Sequence, residues 1–112
     1  MHVDISNLDM LKDIIGDELK EVLNIYLEST PETLLKLEDA VASKTLATVQ
    51  SQAHSLKGSS ANVGANNLSM LSAELEQNAK NNHTDNMSAL LIKIQTENIA
   101  VAQALKDYIN TF

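Results

Sequence analysis

Between Leu46 and Val63 the residues Leu46, Val49, Ala53, Leu56, Ser60 and Val63 advance by 3, 4, 3, 4 and 3 positions. That rhythm follows one stripe of an α-helix and cannot serve a strand, whose faces alternate at every second residue. The same spacing returns in Leu19, Val22, Leu23, Tyr26 and Leu27, in Leu68, Leu71, Leu75 and Ala79, and in Met87, Leu91, Ile94, Asn98, Val101, Leu105 and Tyr108. A chain built of such segments must bury their stripes against one another. With 3 glycines, 1 proline and 3% aromatic residues, it is short of both helix breakers and strand-favouring side chains. The expected class is all-α.

Capping residues predict where the helices begin and end. Ser6, with Asp9 three residues on, marks a first helix from about Asn7 to Ile14, broken at Gly16. A second helix runs from Asp17 toward Ser29. Thr30 before Pro31 reads as an N-cap and first helical position of a further segment carrying Leu34, Leu37 and Val41, or as a proline within one long helix. Gly64 closes the Leu46–Val63 stripe as a left-handed C-terminal residue, the next helix dissolves in the polar run "KNNHTDN", and Thr84 caps the last. Short connections between amphipathic helices imply antiparallel neighbours, hence an up-and-down four-helix bundle with a short N-terminal helix as lid.

Length and charge narrow the function. A chain of 112 residues makes one small domain, residues 1–112, with no room for a nucleotide-binding catalytic domain beside it. With no cysteine there is no disulfide and no thiolate chemistry. A net charge of -7, from 8 basic and 15 acidic residues, argues against nucleic acid and for a protein partner. With no charged start followed by an apolar run and no apolar stretch of membrane-spanning length, neither secretion nor membrane insertion is expected, and the cytoplasm is the expected compartment.

The segment "QAHSLKGSSANVGA", Gln52 to Ala65, stands apart. On a helix of about 100° per residue, Gln50, Lys57, Gly58 and Ala61 all lie within roughly 60° of His54, at the edge of the apolar stripe or outside it. A glycine inside a helix costs about 1 kcal/mol relative to alanine, so Gly58 needs a compensating role. Close approach of another helix would supply one; access to His54 for a bulky partner would supply another. Moreover, no Asp or Glu occurs in the 33 residues from Val41 to Ala73, and the only formal charges there are Lys44 and Lys57. A surface of that kind can accept an anion.

Most chemistries of a lone histidine fit poorly here. A general base needs an orienting carboxylate, and none lies within four positions of His54 on its helix, although Glu74, Glu76 or the last helix could supply one. Metal binding is not expected, because His2, His54 and His83 show no helical pairing with one another or with acids. What fits is a neutral imidazole acting as nucleophile, able to accept a phosphoryl group. A helical adaptor using the Lys57 and Gly58 face without covalent chemistry stays open at this point.

The residues His54, Leu56, Lys57, Gly58, Ser59, Ser60, Val63, Gly64 and Ala65, continued by Leu68, Leu71, Leu75 and Glu76, resemble the signature of histidine-containing phosphotransfer (HPt) domains. The resemblance implies a monomeric four-helix bundle that carries phosphoryl groups in multistep two-component signalling. It further implies that His54 is the phosphoacceptor, working through Nε2 between receiver-domain aspartates of response regulators or hybrid sensor kinases. Lys57 would stabilise the phosphoryl charge and Gly58 would admit the receiver's active site, with Gln50 and Ala61 added to the docking surface by helix geometry. Such a carrier has no autokinase activity and no cofactor of its own, the Mg²⁺ coming with the receiver.

Overall fold

The stripes of the sequence become the packed faces of five helices in the computed structural model, which describes residues 2–112. They are α1 (Ile5–Ile15), α2 (Glu18–Ser43), α3 (Leu46–Asn62), α4 (Asn66–Lys80) and α5 (Met87–Ile109), and no strand occurs among the described residues. Helices α2 to α5 pack in cyclic order, each against its neighbours in the chain and α5 back against α2. The all-α class and the up-and-down bundle are as expected.

Within this ring the core is aliphatic. Leu19, Leu23 and Leu37 of α2, Val49 and Leu56 of α3, Leu68 and Leu75 of α4, and Ile94, Val101 and Leu105 of α5 are sealed from solvent. Truncating one such leucine to alanine costs about 2–5 kcal/mol, a large part of the stability of a small domain.

Two sequence-based boundaries move, and one choice is decided. The first helix starts at Ile5, because Asp4 rather than Ser6 takes the cap: its carboxylate accepts from the Asn7 amide at 3.2 Å and from the Ser6 hydroxyl at 2.6 Å. The last helix starts at Met87 behind Asn86, leaving Thr84 in the preceding turn, where its carbonyl accepts from the Met87 amide. Residues 18–43 form one helix straight through Pro31. Thr30 does not cap; it is buried, and its hydroxyl donates to the Tyr26 carbonyl at 2.6 Å. Pro31 points to solvent, so its ring displaces no core contact.

Lengths explain where α1 goes. At about 1.5 Å per residue, α2 and α5 outrun α3 and α4 by roughly 10 Å or more, giving a molecule of 42 × 20 × 20 Å. Helix α1 covers the protruding end: Leu8 is fully buried, the Tyr108 hydroxyl donates to Asp9 at 2.8 Å, and Lys12 sits 4.3 Å from the Phe112 ring centre. The Asp4 amide donates to the Gly64 carbonyl at 2.9 Å, tying this lid to the α3–α4 turn. The long free flank of α3 is left uncovered by it.

Candidate functional site

His54 lies in the middle of α3, and its place follows from the stripe. Ala53 and Leu56, on either side of it, are core residues, which turns the histidine outward with its side chain 67% exposed. The α3–α4 turn then returns the chain antiparallel, so that α4 runs back alongside α3. Here Gly64 takes φ 76°, the Ala65 amide reaches the Ser60 carbonyl and the Gly64 amide reaches that of Ala61, a closed C-terminal cap. Ser69 of α4 fastens the pair at the level of the site, its hydroxyl donating to the Lys57 carbonyl at 2.9 Å.

This arrangement brings a carboxylate to the imidazole that the local sequence lacks. Glu76 of α4 places Oε2 2.8 Å from Nδ1 of His54 and Oε1 2.7 Å from Nζ of Lys57. One carboxylate thus spans the histidine and the lysine one turn apart on α3. Glu76 is itself only 18% exposed, and its pKa is held below the ordinary 4.5, chiefly by the bond from Lys57 and further by that from His54, against the opposing effect of burial. An ionised carboxylate can only accept. The neutral ring therefore carries its proton on Nδ1 and presents the Nε2 lone pair to solvent.

The remaining predicted residues fall around this centre. Gln50, with Ala47 and Ser51, lines a shallow depression beside His54 and Glu76. Gly58 and Ala61 are exposed on α3, one and two turns beyond the histidine. A Cβ built at Gly58 would meet nothing within 4 Å, so no helix of this chain packs into the space it leaves. Close helix packing is not the reason for this glycine.

Sequence reasoning left Glu76 as one of several possible acids and gave Lys57 no partner. The signal was present but unranked: the acid-free run ends at Ala73, and Glu76 stands immediately after the core residue Leu75, two turns along α4 from Ser69. A carboxylate against His54 is also what a general base would require. However, no hydroxyl is hydrogen-bonded to the imidazole among the described residues, and no group of three or more metal-ligating side chains occurs there. The arrangement is an exposed imidazole with its ring oriented from behind.

His2 is held in the same way, its Nδ1 2.8 Å from Glu97 Oε2, but only the Glu76 carboxylate also binds a lysine, and the class of this helical bundle comes from its family. The Hpt domain family model matches residues 21–110, and the chain belongs to that family. Among solved structures it is similar to histidine-containing phosphotransfer protein B of Pseudomonas aeruginosa PAO1, with 27% identity, a TM-score of 0.94, and 99% of this chain and 96% of that one covered. It is also similar in fold to the HPT domain of a sensor hybrid histidine kinase from Shewanella, with 22% identity, TM-score 0.85 and coverage of 99% and 96%. The histidine-containing phosphotransfer domain of ArcB from Escherichia coli shares the fold as well, with 19% identity, TM-score 0.82 and coverage of 97% and 93%. No curated protein sequence gives a significant match. The chain is a phosphorelay carrier, and no helix among its described residues is long and apolar enough to cross a membrane.

Proposed function

We propose that His54 is the phosphoacceptor, taking a phosphoryl group on Nε2 from the aspartate of one receiver domain and passing it to the aspartate of another. The observation that carries this is the bond from Nδ1 to Glu76 at 2.8 Å, which fixes the tautomer and leaves Nε2 free on a ring that is 67% exposed. A tethered lone pair in open solvent is what a bulky phosphoryl donor needs.

The other residues take supporting roles. Lys57 holds Glu76 in its ionised form and sets a positive charge beside the incoming phosphoryl group, which adds nearly two negative charges. Gly58 leaves room for the receiver's catalytic loops, and Gln50 and Ala61 extend the docking surface along α3. The chain has no phosphate-binding loop and supplies only the nucleophile; the receiver brings the acidic pocket and its Mg²⁺. On this reading residues 1–112 act in the cytoplasm as one monomeric domain without autokinase activity, serving response regulators or hybrid sensor kinases.

The test is transfer from a panel of phosphorylated receiver domains to the native chain and to His54→Gln. Label should reach the native chain alone and be lost in acid but kept in alkali. Equal labelling of both would reject His54. No transfer from any receiver, with the fold intact, would favour an adaptor that binds through the Lys57 and Gly58 face.

A further inference from the structure

We propose that Glu76 keeps the Nδ1 proton on His54 through the whole transfer cycle, so that the charged carrier is an imidazolium and neither loading nor unloading exchanges a proton with solvent. This rests on His54 being the phosphoacceptor. It concerns what happens to the ring after phosphorylation, which tautomer selection alone does not decide.

In its neutral form the ring carries its proton on Nδ1, 2.8 Å from Oε2 of a carboxylate that can only accept. On loading, the Nε2 lone pair attacks phosphorus; the N–P bond forms, the P–O bond to the donor aspartate breaks, and its electron pair leaves on that carboxylate. The ring now bears a positive charge, with the proton still on Nδ1. Losing that proton would leave a nitrogen lone pair facing a carboxylate oxygen, two acceptors with no hydrogen between them. Keeping it makes a charge-assisted hydrogen bond. Glu76 therefore opposes deprotonation of the phosphorylated ring.

Unloading gains from the same contact. When a receiver carboxylate attacks phosphorus, the N–P bond breaks and its electron pair returns to Nε2. From the imidazolium the departing group is a neutral imidazole; from the deprotonated ring it would be an imidazolate, a far poorer leaving group. The proton ends where it began. Glu76 is thus a positioning residue, acting on the reacting atom through the ring.

The surroundings allow few rivals for this control. Lys57 sits on the other carboxylate oxygen at 2.7 Å, while Ala47, Gln50 and Ser51, which line the depression with His54 and Glu76, are uncharged. Helix α3 carries no acid, and its second basic neighbour, Lys44, lies beyond its N-terminus. Among the described residues Glu76 is the charged group bonded to the ring, Lys57 acts on it through the other carboxylate oxygen, and Glu74 and Lys80, the other charged groups of α4, make no ion pair with His54.

The experiment is to load ¹⁵N-histidine-labelled native protein and Glu76→Gln with phosphoramidate and follow the ring nitrogens of phosphorylated His54 from about pH 6 to about pH 9. Native protein should hold the Nδ1 proton roughly tenfold more tightly, a midpoint about one unit higher than in the variant. Discharge to a receiver should fall with rising pH in both proteins, the fall in the native protein setting in about one unit higher than in Glu76→Gln. Lys57→Met, which keeps the carboxylate, should titrate closer to native. Equal midpoints in native and Glu76→Gln would overturn the proposal, as would a Lys57→Met midpoint as low as that of Glu76→Gln. Folded native protein that forms no phosphohistidine at position 54 would instead defeat the phosphoacceptor assignment, and this inference with it.

Discussion

Gly58 separates two effects that a single substitution usually confounds. Because a Cβ there meets nothing within 4 Å, Gly58→Ala should raise stability by about 1 kcal/mol in a denaturant titration, the ordinary gain of alanine over glycine in a helix. Gly58→Gln should fold as well and yet slow transfer, read by phosphoryl transfer from a receiver; unchanged rates would move the docking surface elsewhere. Glu76 gives a second prediction, with its sign fixed by the lowered pKa. Its ionised form stabilises the fold at pH values above the ordinary 4.5, and that contribution is lost as pH falls through the lower folded value. The melting-temperature gap between native protein and Glu76→Gln should therefore close on acidification below about pH 4. Of these residues, His54, Lys57 and Gly58 were legible from spacing and motif. The tie between His54 and Glu76 was not, because it joins residues 22 apart through a turn whose geometry no local pattern specifies.

At the scale of elements, three helices in succession end in the same way. Lys44, Gly64 and Asn82 each adopt positive φ, of 56°, 76° and 58°, and the next residue's amide reaches back five positions, to Ala40, Ser60 and Asn78. Only Gly64 suits that conformation without cost, and only Gly64 was read from the sequence as such a residue. Lys44→Gly should accordingly stabilise the protein by about 1 kcal/mol, while Gly64→Ala should destabilise it by more, since its Cβ would press on the Asp4 carbonyl at 3.3 Å. Chemical denaturation of the two variants checks both signs. Periodicity located the helices because burial enforces it; it misplaced the starts at Ser6 and Thr84 because Asp4 and Asn86 were equally available polar residues a turn or less away. The break offered at Thr30 dissolved for a related reason: Thr30 continues the stripe from Leu23 and Tyr26 to Leu37, and burial of that stripe outweighs one missing amide at Pro31.

For the whole molecule, the lid and the site occupy different regions: α1 is fastened to the protruding ends of α2 and α5, and His54 lies on the flank formed by α3 and α4. Stability can thus be altered at one without touching the other. Tyr108, pushed up to about 12 by burial and by its bond to Asp9, supports the fold as a neutral phenol. That contribution is complete below its ordinary 10.0 and disappears as pH rises toward about 12, so native protein should lose more stability across this window than Tyr108→Phe, measured by thermal melting. The helix order and the placement of the lid were readable from the sequence, whereas the docking of α1 through Asp9 and Phe112 depends on chain ends meeting in space. A last consequence follows from the 67% exposure of His54. If His54 is the phosphoacceptor, as proposed, no described residue closes over its phosphoryl group, so the group is shielded neither from water nor from the next receiver: the protonation that Glu76 imposes sets how labile the N–P bond is, and the receiver's concentration how soon it is spent.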